Sequence, residues 1–409
     1  MLSVKEAERI ILDVVQPLDR ERDAEVVDLL AASGRILSKP VISQLDFPHW
    51  DNSAMDGYAV RYADLKGCSP KNPASLEIVE EIRAGKQPQR SLKPRQAARI
   101  LTGAMMPIGA DTVVMQEMTR RKGNRIMIES PPEEKAFVRH QGSFYQAGTP
   151  LLSAGIPIGA TEIAVLAATQ CSQFSVYRRP RVAILSTGDE LVKPDQSLQP
   201  GQLVDSNQYA LAALVAQSGC IPQMLGIVPD DQQQIKVAIS NAIANADMVI
   251  SSGGVSVGDY DYVDRILAAL GAKIHISSVA IKPGKPLTFA TFKPQVLYFG
   301  LPGNPVSSLV TFWRFVQPAL RKLAGLSGTW GPNFVQARSQ NDLKSDGKRE
   351  SYLWGKLHLV DDNYKFSLAN GSHSSGNLIN LAQPNGLAIL PVGARFITAG
   401  EIVRVLQIR

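Results

Sequence analysis

The stretch that decides the fold is 248-MVISSGGVSVGDYDY-262. An apolar run ends abruptly in two serines and two glycines, and two aspartates follow. A run of this length bounded by Gly fits a strand buried on both faces. The bare backbone at Gly253 and Gly254 lets N–H groups approach an anion without a Cβ in the way. The same rhythm recurs on either side. "RVAIL" (181–185) runs into polar "STGDE", and a helix pattern follows at "NQYALAALVAQSG". "MLGIV" runs into "PDD" and then a helix through "QIKVAISNAIANA". After the opening stretch "VDRILAALG" reads as helix. "QVLYFG" meets "LPGNP", and a long helix begins at "VSSLVTFWRFVQPALRKLAG". Strands alternating with helices in this way predict a parallel sheet covered on both faces.

In such sheets ligands bind beyond the carboxyl ends of the strands, and there the polar loops of this chain would converge. They supply Thr187, Gly188, Asp189 and Glu190, then Asp205, Ser206 and Asn207, then Asp230 and Asp231. The opening stretch adds Ser251, Gly253, Gly254, Ser256, Gly258, Asp259 and Asp261, and "LPGNPVSS" adds Gly303, Asn304, Ser307 and Ser308. Pro305 suits the first position of a helix, whose free N–H groups and positive dipole end would favour an anion. "IKPGKP" holds Lys282 and Lys285 between prolines. Carboxylates beside phosphate-binding backbone suggest Mg²⁺, which takes one or two of them plus substrate oxygens. Each piece alone is common turn or cap chemistry; the inference rests on their following different strands.

Outside this region the texture differs. Residues 3–16 predict an amphipathic helix, with Ser3 and Glu6 forming a capping box. From about 40 to 150, short runs bounded by Pro and Gly predict a mostly β segment, and 329–409 predicts a small β-barrel or sandwich. In "FPHWDNSAMDGYAV" (47–60), Asp51, Asn52, Ser53 and Asp56 crowd a polar turn that composition alone assigns to local capping.

The 409 residues allow two to four domains. Apolar residues are 44% and charged residues 20%, which argues against wholesale disorder. No apolar run is long enough to span a membrane, and the first residues lack the layout of a secretion signal. Cys68, Cys171 and Cys220 and the five histidines show no metal-ligand spacing. A net charge of +6 favours an anionic ligand, but no nucleic-acid signature accompanies it. The basic "YRRPR" at 177–181 is expected to be a solvated surface.

Six ordered motifs, "DNSAMDGYAVR", "RILTGAMMPIGADTVVMQE", "VAILSTGDEL", "ISSGGVSVGDYDY", "AIKPGKP" and "GLPGNPVSS", span nearly the whole chain. Together they closely resemble the molybdopterin molybdenumtransferase family, the molybdenum-insertion enzymes of cofactor biosynthesis, and the E domain of gephyrin. The resemblance implies an elongated, cytoplasmic homodimer. Its α/β domain would take 1–26 and 179–328, a linking domain 27–48 and 149–178, a β-rich domain 49–148, and a C-terminal β domain 329–409. It implies a cleft shared between subunits, to which the partner would contribute Asp56 and Thr102. The reaction implied is Mg²⁺-dependent insertion of molybdate into adenylylated molybdopterin with release of AMP. By the same match Gly253, Gly254, Ser256, Gly303 and Asn304 would bind the pterin substrate. Lys282, Lys285, Ser307 and Ser375 would bind molybdate, and Glu190, Asp230 and Asp261 the metal. No nucleic acid or membrane partner is implied.

The chain departs from the family pattern at Phe144, where an aspartate is expected, at Trp354, where an arginine is, and at Ser278, where a lysine is common. Arg349 is a candidate substitute for the arginine, and "GSHSSGNLINLAQPNGL" aligns only loosely. These departures keep two other readings open: an enzyme that adenylylates molybdopterin, and a non-catalytic molybdopterin-binding or scaffolding relative.

Overall fold

The computed structural model describes residues 1–254 and 263–408. Its centre is a six-stranded sheet in the order Ile221–Val228, Arg181–Thr187, Met248–Ser252, Val296–Leu301, Pro286–Phe292, Lys273–Ser278. The first four strands run parallel; the last two run antiparallel to their neighbours. The sheet is therefore mixed, an extension of the parallel arrangement expected. Side chains alternate across it. Val182, Ile184, Met248, Ile250, Leu297 and Phe299 enter the core on one face, and Ala183, Leu185, Val249 and Tyr298 the core on the other. Helices Val4–Val14, Asn207–Gln217 and Pro305–Thr311 cover the first face, and Gln232–Asn245 and Val263–Ala269 the second. The capping box is present: Glu6 N donates to Ser3 Oγ at 3.2 Å and Ser3 N to Glu6 Oε2 at 2.9 Å.

The long helix read at 306–325 is not uniform. Pro305–Thr311 passes through one π-helical turn, Phe312–Val316, into Gln317–Leu323. Pro318 has no N–H to give to the preceding turn, which accounts for the break in the regular ladder there. Arg314 sits within that π turn and is 5% exposed. It holds Glu8 through both Nη atoms at 2.6 and 2.8 Å, and its Nε donates to Tyr352 Oη at 3.1 Å. One guanidinium thus joins the first helix, this helix and the C-terminal domain.

A second six-stranded sheet, Thr112–Met115, Gly57–Val60, Gln96–Ile100, Ala74–Ile82, Arg125–Ile128, Thr119–Lys122, carries a separate small core on each face. Near the C-terminus Glu350–Val360, Asn363–Leu368, Phe334–Ser339, Ile402–Gln407 and Gly386–Leu390 pair in a ring that closes on itself as a five-stranded barrel. The short strand Ile281–Lys282, from the segment between the two antiparallel strands of the central sheet, pairs alongside Glu350 and Ser351 of that barrel. Tyr352 and Trp354 then bury into the core of the α/β domain.

In the basic "YRRPR", Arg179 and Arg181 are exposed, as expected of a solvated surface, but Arg178 is not. Arg178 grips Asp247 with both Nη atoms at 2.7 Å, and its Nε donates to Asp23 at 2.9 Å. It is 27% exposed, and Asp23 and Asp247 are 7% and 13% exposed. The carboxylates lie 155 and 69 residues away along the chain, so nothing local in the sequence marks them.

Candidate active site

The strand Arg181–Thr187 has Ile221–Val228 on one side and Met248–Ser252 on the other. The helix that leaves this strand toward Ile221–Val228, Asn207–Gln217, and the helix that crosses from Ile221–Val228 to Met248–Ser252, Gln232–Asn245, lie on opposite faces, so a crevice opens at its carboxyl end. A cavity of about 750 Å³ occupies that position, within the size range of small-molecule sites. Its walls include Glu190, Asp205, Asn207, Asp230, Gly253, Gly254, Gly303, Asn304 and Ser307. The strand–loop–helix reading thus brings Glu190, Asp230, Gly253, Gly254, Gly303, Asn304 and Ser307 together. Ser256 and Asp261 lie outside the described residues.

Each wall residue is there for a stated reason. Gly253 has φ +92°, and a Cβ on it would run into the Thr187 carbonyl. Gly254 has φ +65°, and a Cβ there would meet Thr187 Oγ1 at 3.0 Å. Only glycine lets this loop turn so closely over the end of the neighbouring strand. Asn207, at the start of its helix, donates from Nδ2 to Ser252 Oγ at 2.6 Å and to the Gly303 carbonyl at 2.8 Å. It ties the loops after two different strands to each other. Thr187 Oγ1 is buried and finds no hydrogen-bond partner among the described residues. A buried hydroxyl in that state favours a polar group in the cavity.

The acidic corner is built by the loops after the two adjacent strands. Asp230 N donates to Asp189 Oδ1 at 3.0 Å. Partial burial first, then the charges of Asp189 and Glu190, push the Asp230 carboxyl above the usual carboxylate range. Crowded carboxylates of this kind suit a divalent cation. Among the described residues no group of three or more His, Cys, Asp or Glu side chains is arranged as a closed metal site. Glu190 and Asp230 fit a Mg²⁺ that draws its other ligands from water and substrate.

The remaining candidates lie elsewhere. Val306 N donates to the Ser375 carbonyl at 3.1 Å, so one of the N–H groups expected to be free at the helix start is taken, and the barrel loop 369–377 is seated on it. Gly376 of that loop lines the cavity. Lys282 and Lys285 are exposed and do not line it. Lys282 Nζ pairs with Asp346 at 2.9 Å. Arg349 donates to the Ile281 carbonyl at 3.3 Å, beside this pair. Trp354 is fully buried, 4.4 Å from the His373 ring, so the position expected to carry arginine is interior. Phe144 is 65% exposed, its ring 6.1 Å from that of Phe47. Ser278 ends the outermost strand of the central sheet, where its carbonyl accepts Leu2 N at 3.3 Å.

Asp56 and Thr102 meet each other at the end of the second sheet. Asp56 Oδ1 accepts Thr102 N and Thr102 Oγ1, both at 2.7 Å. These two bonds, backbone first, hold the exposed Asp56 carboxyl below the usual carboxylate range. Gly57 follows because a Cβ there would strike the Val114 carbonyl on the paired strand. Neither Asp56 nor Thr102 lines the cavity.

Three family profiles match in order: the MoeA N-terminal region (domains I and II) over residues 2–169, a probable molybdopterin-binding domain over 183–322, and the MoeA C-terminal region (domain IV) over 336–408. A molybdopterin molybdenumtransferase from Nostoc sp. is 63% identical over 100% of this chain and 94% of its own length. One from Haemophilus influenzae is 33% identical over 96% of each. The crystal structure of a molybdopterin biosynthesis MoeA protein from Pyrococcus horikoshii OT3 superposes with a TM-score of 0.85 at 27% identity, covering 100% of both chains. Among the described residues no helix is long and apolar enough to cross a membrane. Full-length identity of this order, three profiles in register and the shared architecture converge: the chain belongs to the molybdopterin molybdenumtransferase (MoeA) family, enzymes of molybdenum cofactor biosynthesis.

Proposed function

We propose that this chain inserts molybdenum from molybdate into adenylylated molybdopterin, releasing AMP, in a Mg²⁺-assisted reaction within a cleft completed by a second copy of the chain. The observation that carries the proposal is the cavity at the sheet's switch point, with bare backbone at Gly253 and Gly254 facing an acidic corner at Glu190 and Asp230.

The residues divide the work by their chemistry. Gly253, Gly254 and Gly303 give a phosphate-bearing substrate close access to backbone, with Asn207 holding two of their loops in register. Glu190 and Asp230 would hold the Mg²⁺, which supplies charge neutralisation at the phosphate linkage that breaks. Lys282, Lys285, Ser307 and Ser375 are the proposed molybdate hosts, and Lys282 would exchange Asp346 for the oxyanion. Asp56 stays ionised because Thr102 donates to its Oδ1, leaving Oδ2 to accept a proton or orient the incoming group. Because this pair stands apart from its own chain's cavity, the reading places it in the cavity of a partner copy.

The test incubates the protein with adenylylated molybdopterin, Mg²⁺ and molybdate and quantifies AMP chromatographically. Molybdate-dependent AMP release is expected, lost in Asp56→Asn without loss of the folded state. AMP transfer from ATP to molybdopterin would establish the adenylylating reading instead. Tight substrate binding without turnover would establish a non-catalytic relative. Sedimentation velocity should show a dimer; an active monomer would contradict the shared cleft.

A further inference from the structure

At the opposite end of the strand Arg181–Thr187 from the cavity above, about 20 Å away for seven residues, lies a second cavity that the reaction does not use. It sits where 34–36 and 177–180 meet 218–219 and 321–326, at the joint between the small sheets near the N-terminus and the α/β domain. Its walls carry four arginines, Arg35, Arg178, Arg179 and Arg321, and no aspartate or glutamate.

The four are not equivalent. Arg35 pairs with Glu25, and Arg178 with Asp23 and Asp247. Arg321 has no carboxylate partner among the described residues. Its Nη1 donates to the Trp330 and Gly331 carbonyls at 3.3 and 2.9 Å, and no bond from its Nε or Nη2 is present among the described residues. Burial alone pushes its pKa down, the mark of a charge taken partly out of water without a counter-charge. Arg179 makes no ion pair or hydrogen bond among the described residues through its side chain. A guanidinium carries five N–H donors in a fork that matches an oxyanion, so two arginines with unused donors line the same space.

We propose that this cavity binds one tetrahedral oxyanion between Arg321 and Arg179, and that the bound ion fastens the N-terminal small sheets to the α/β domain. The volume decides the class of ligand. At about 70 Å³ it exceeds the share of liquid volume of one water, about 30 Å³. It is far below the several hundred Å³ that a nucleotide or pterin needs. Phosphate, sulfate and molybdate share the required geometry and charge, and the experiment separates them.

The test titrates the full-length protein with sodium phosphate, sodium sulfate or sodium molybdate, holding ionic strength constant with sodium chloride, and follows the thermal midpoint and the heat of binding. At least one oxyanion is expected to raise the midpoint saturably, by about 2–4 °C, and the ion with the greatest effect identifies the occupant. Arg321→Met should weaken that effect about tenfold in concentration. Arg179→Met, at an exposed side chain with no internal partner, should weaken it while leaving the fold and molybdate-dependent AMP release intact. Absence of a saturable effect beyond chloride, or an undiminished effect in the Arg179→Met variant, would overturn the proposal.

Discussion

Replacing Gly253 by alanine tests the central loop most directly, because two separate costs can be read from the structure. The residue has φ +92°, a conformation that costs a residue with a Cβ about 1–2 kcal/mol. The new Cβ would also strike the carbonyl of Thr187, which belongs to an interior strand of the sheet and cannot yield. The loop must move instead, at the expense of the Gly253 N–H bond to the Leu301 carbonyl, present at 3.2 Å and worth about 1 kcal/mol. The sum, about 2–3 kcal/mol, corresponds to a loss of about 30- to 150-fold in kcat/KM when it falls on the ligand-bound state. Gly303→Ala is a control for stability alone, because Gly303 is itself assigned to the substrate. A Cβ there would meet the Gly253 Cα at 3.6 Å, an ordinary contact, without positive φ, so stability should change by less than about 0.5 kcal/mol. The assay is AMP release over a range of substrate concentrations, with urea denaturation run on the same preparations. Retention of more than a third of wild-type kcat/KM by Gly253→Ala, at unchanged stability, would refute the assignment of this backbone to the ligand.

Thr102→Val removes one of the two bonds that lower the Asp56 pKa, so Asp56 should protonate at higher pH and the acid limb of kcat/KM should move upward; an unmoved limb contradicts the role of the pair. The sign for stability follows the same shift: the lowered folded-state pKa contributes stability above the ordinary aspartate pKa, lost as pH falls through the folded value. Glu8→Leu leaves the Arg314 guanidinium buried without its carboxylate and should cost about 3–5 kcal/mol in urea denaturation, whereas Glu8→Leu with Arg314→Met should recover most of it. Chelation should abolish AMP release with Mg²⁺ restoring it, and Glu190→Gln should raise the Mg²⁺ concentration needed for half-maximal rate.

The α/β core was legible because its parallel strands are buried on both faces and read as apolar runs cut by Gly and Pro, as at Met248–Ser252. The two antiparallel strands at Lys273–Ser278 and Pro286–Phe292 were not read, because no helix separates them and the Pro and Gly of "IKPGKP" present the segment as a loop. In the site, Gly253, Gly254, Glu190 and Asp230 followed from their positions after strand ends. Asn207 appeared only as one polar residue among several; its place as a tie between two loops depends on Ser252 and the Gly303 carbonyl, 45 and 96 residues away. The turn holding Asp56 read as local capping, and its pairing with Thr102 crosses 46 residues. Trp354 illustrates the converse: an aromatic at a position expected to be charged becomes intelligible once His373 packs on it and Tyr352 lies nearby in the same core.

The short strand Ile281–Lys282 is shared property, leaving the central sheet's edge only to join the barrel at Glu350 and Ser351. A door must have one side unattached, and here the barrel is stitched to its frame both by that strand and by the Val306–Ser375 bond at the rim of the cleft. Swinging the barrel outward would have to break backbone bonds at both places.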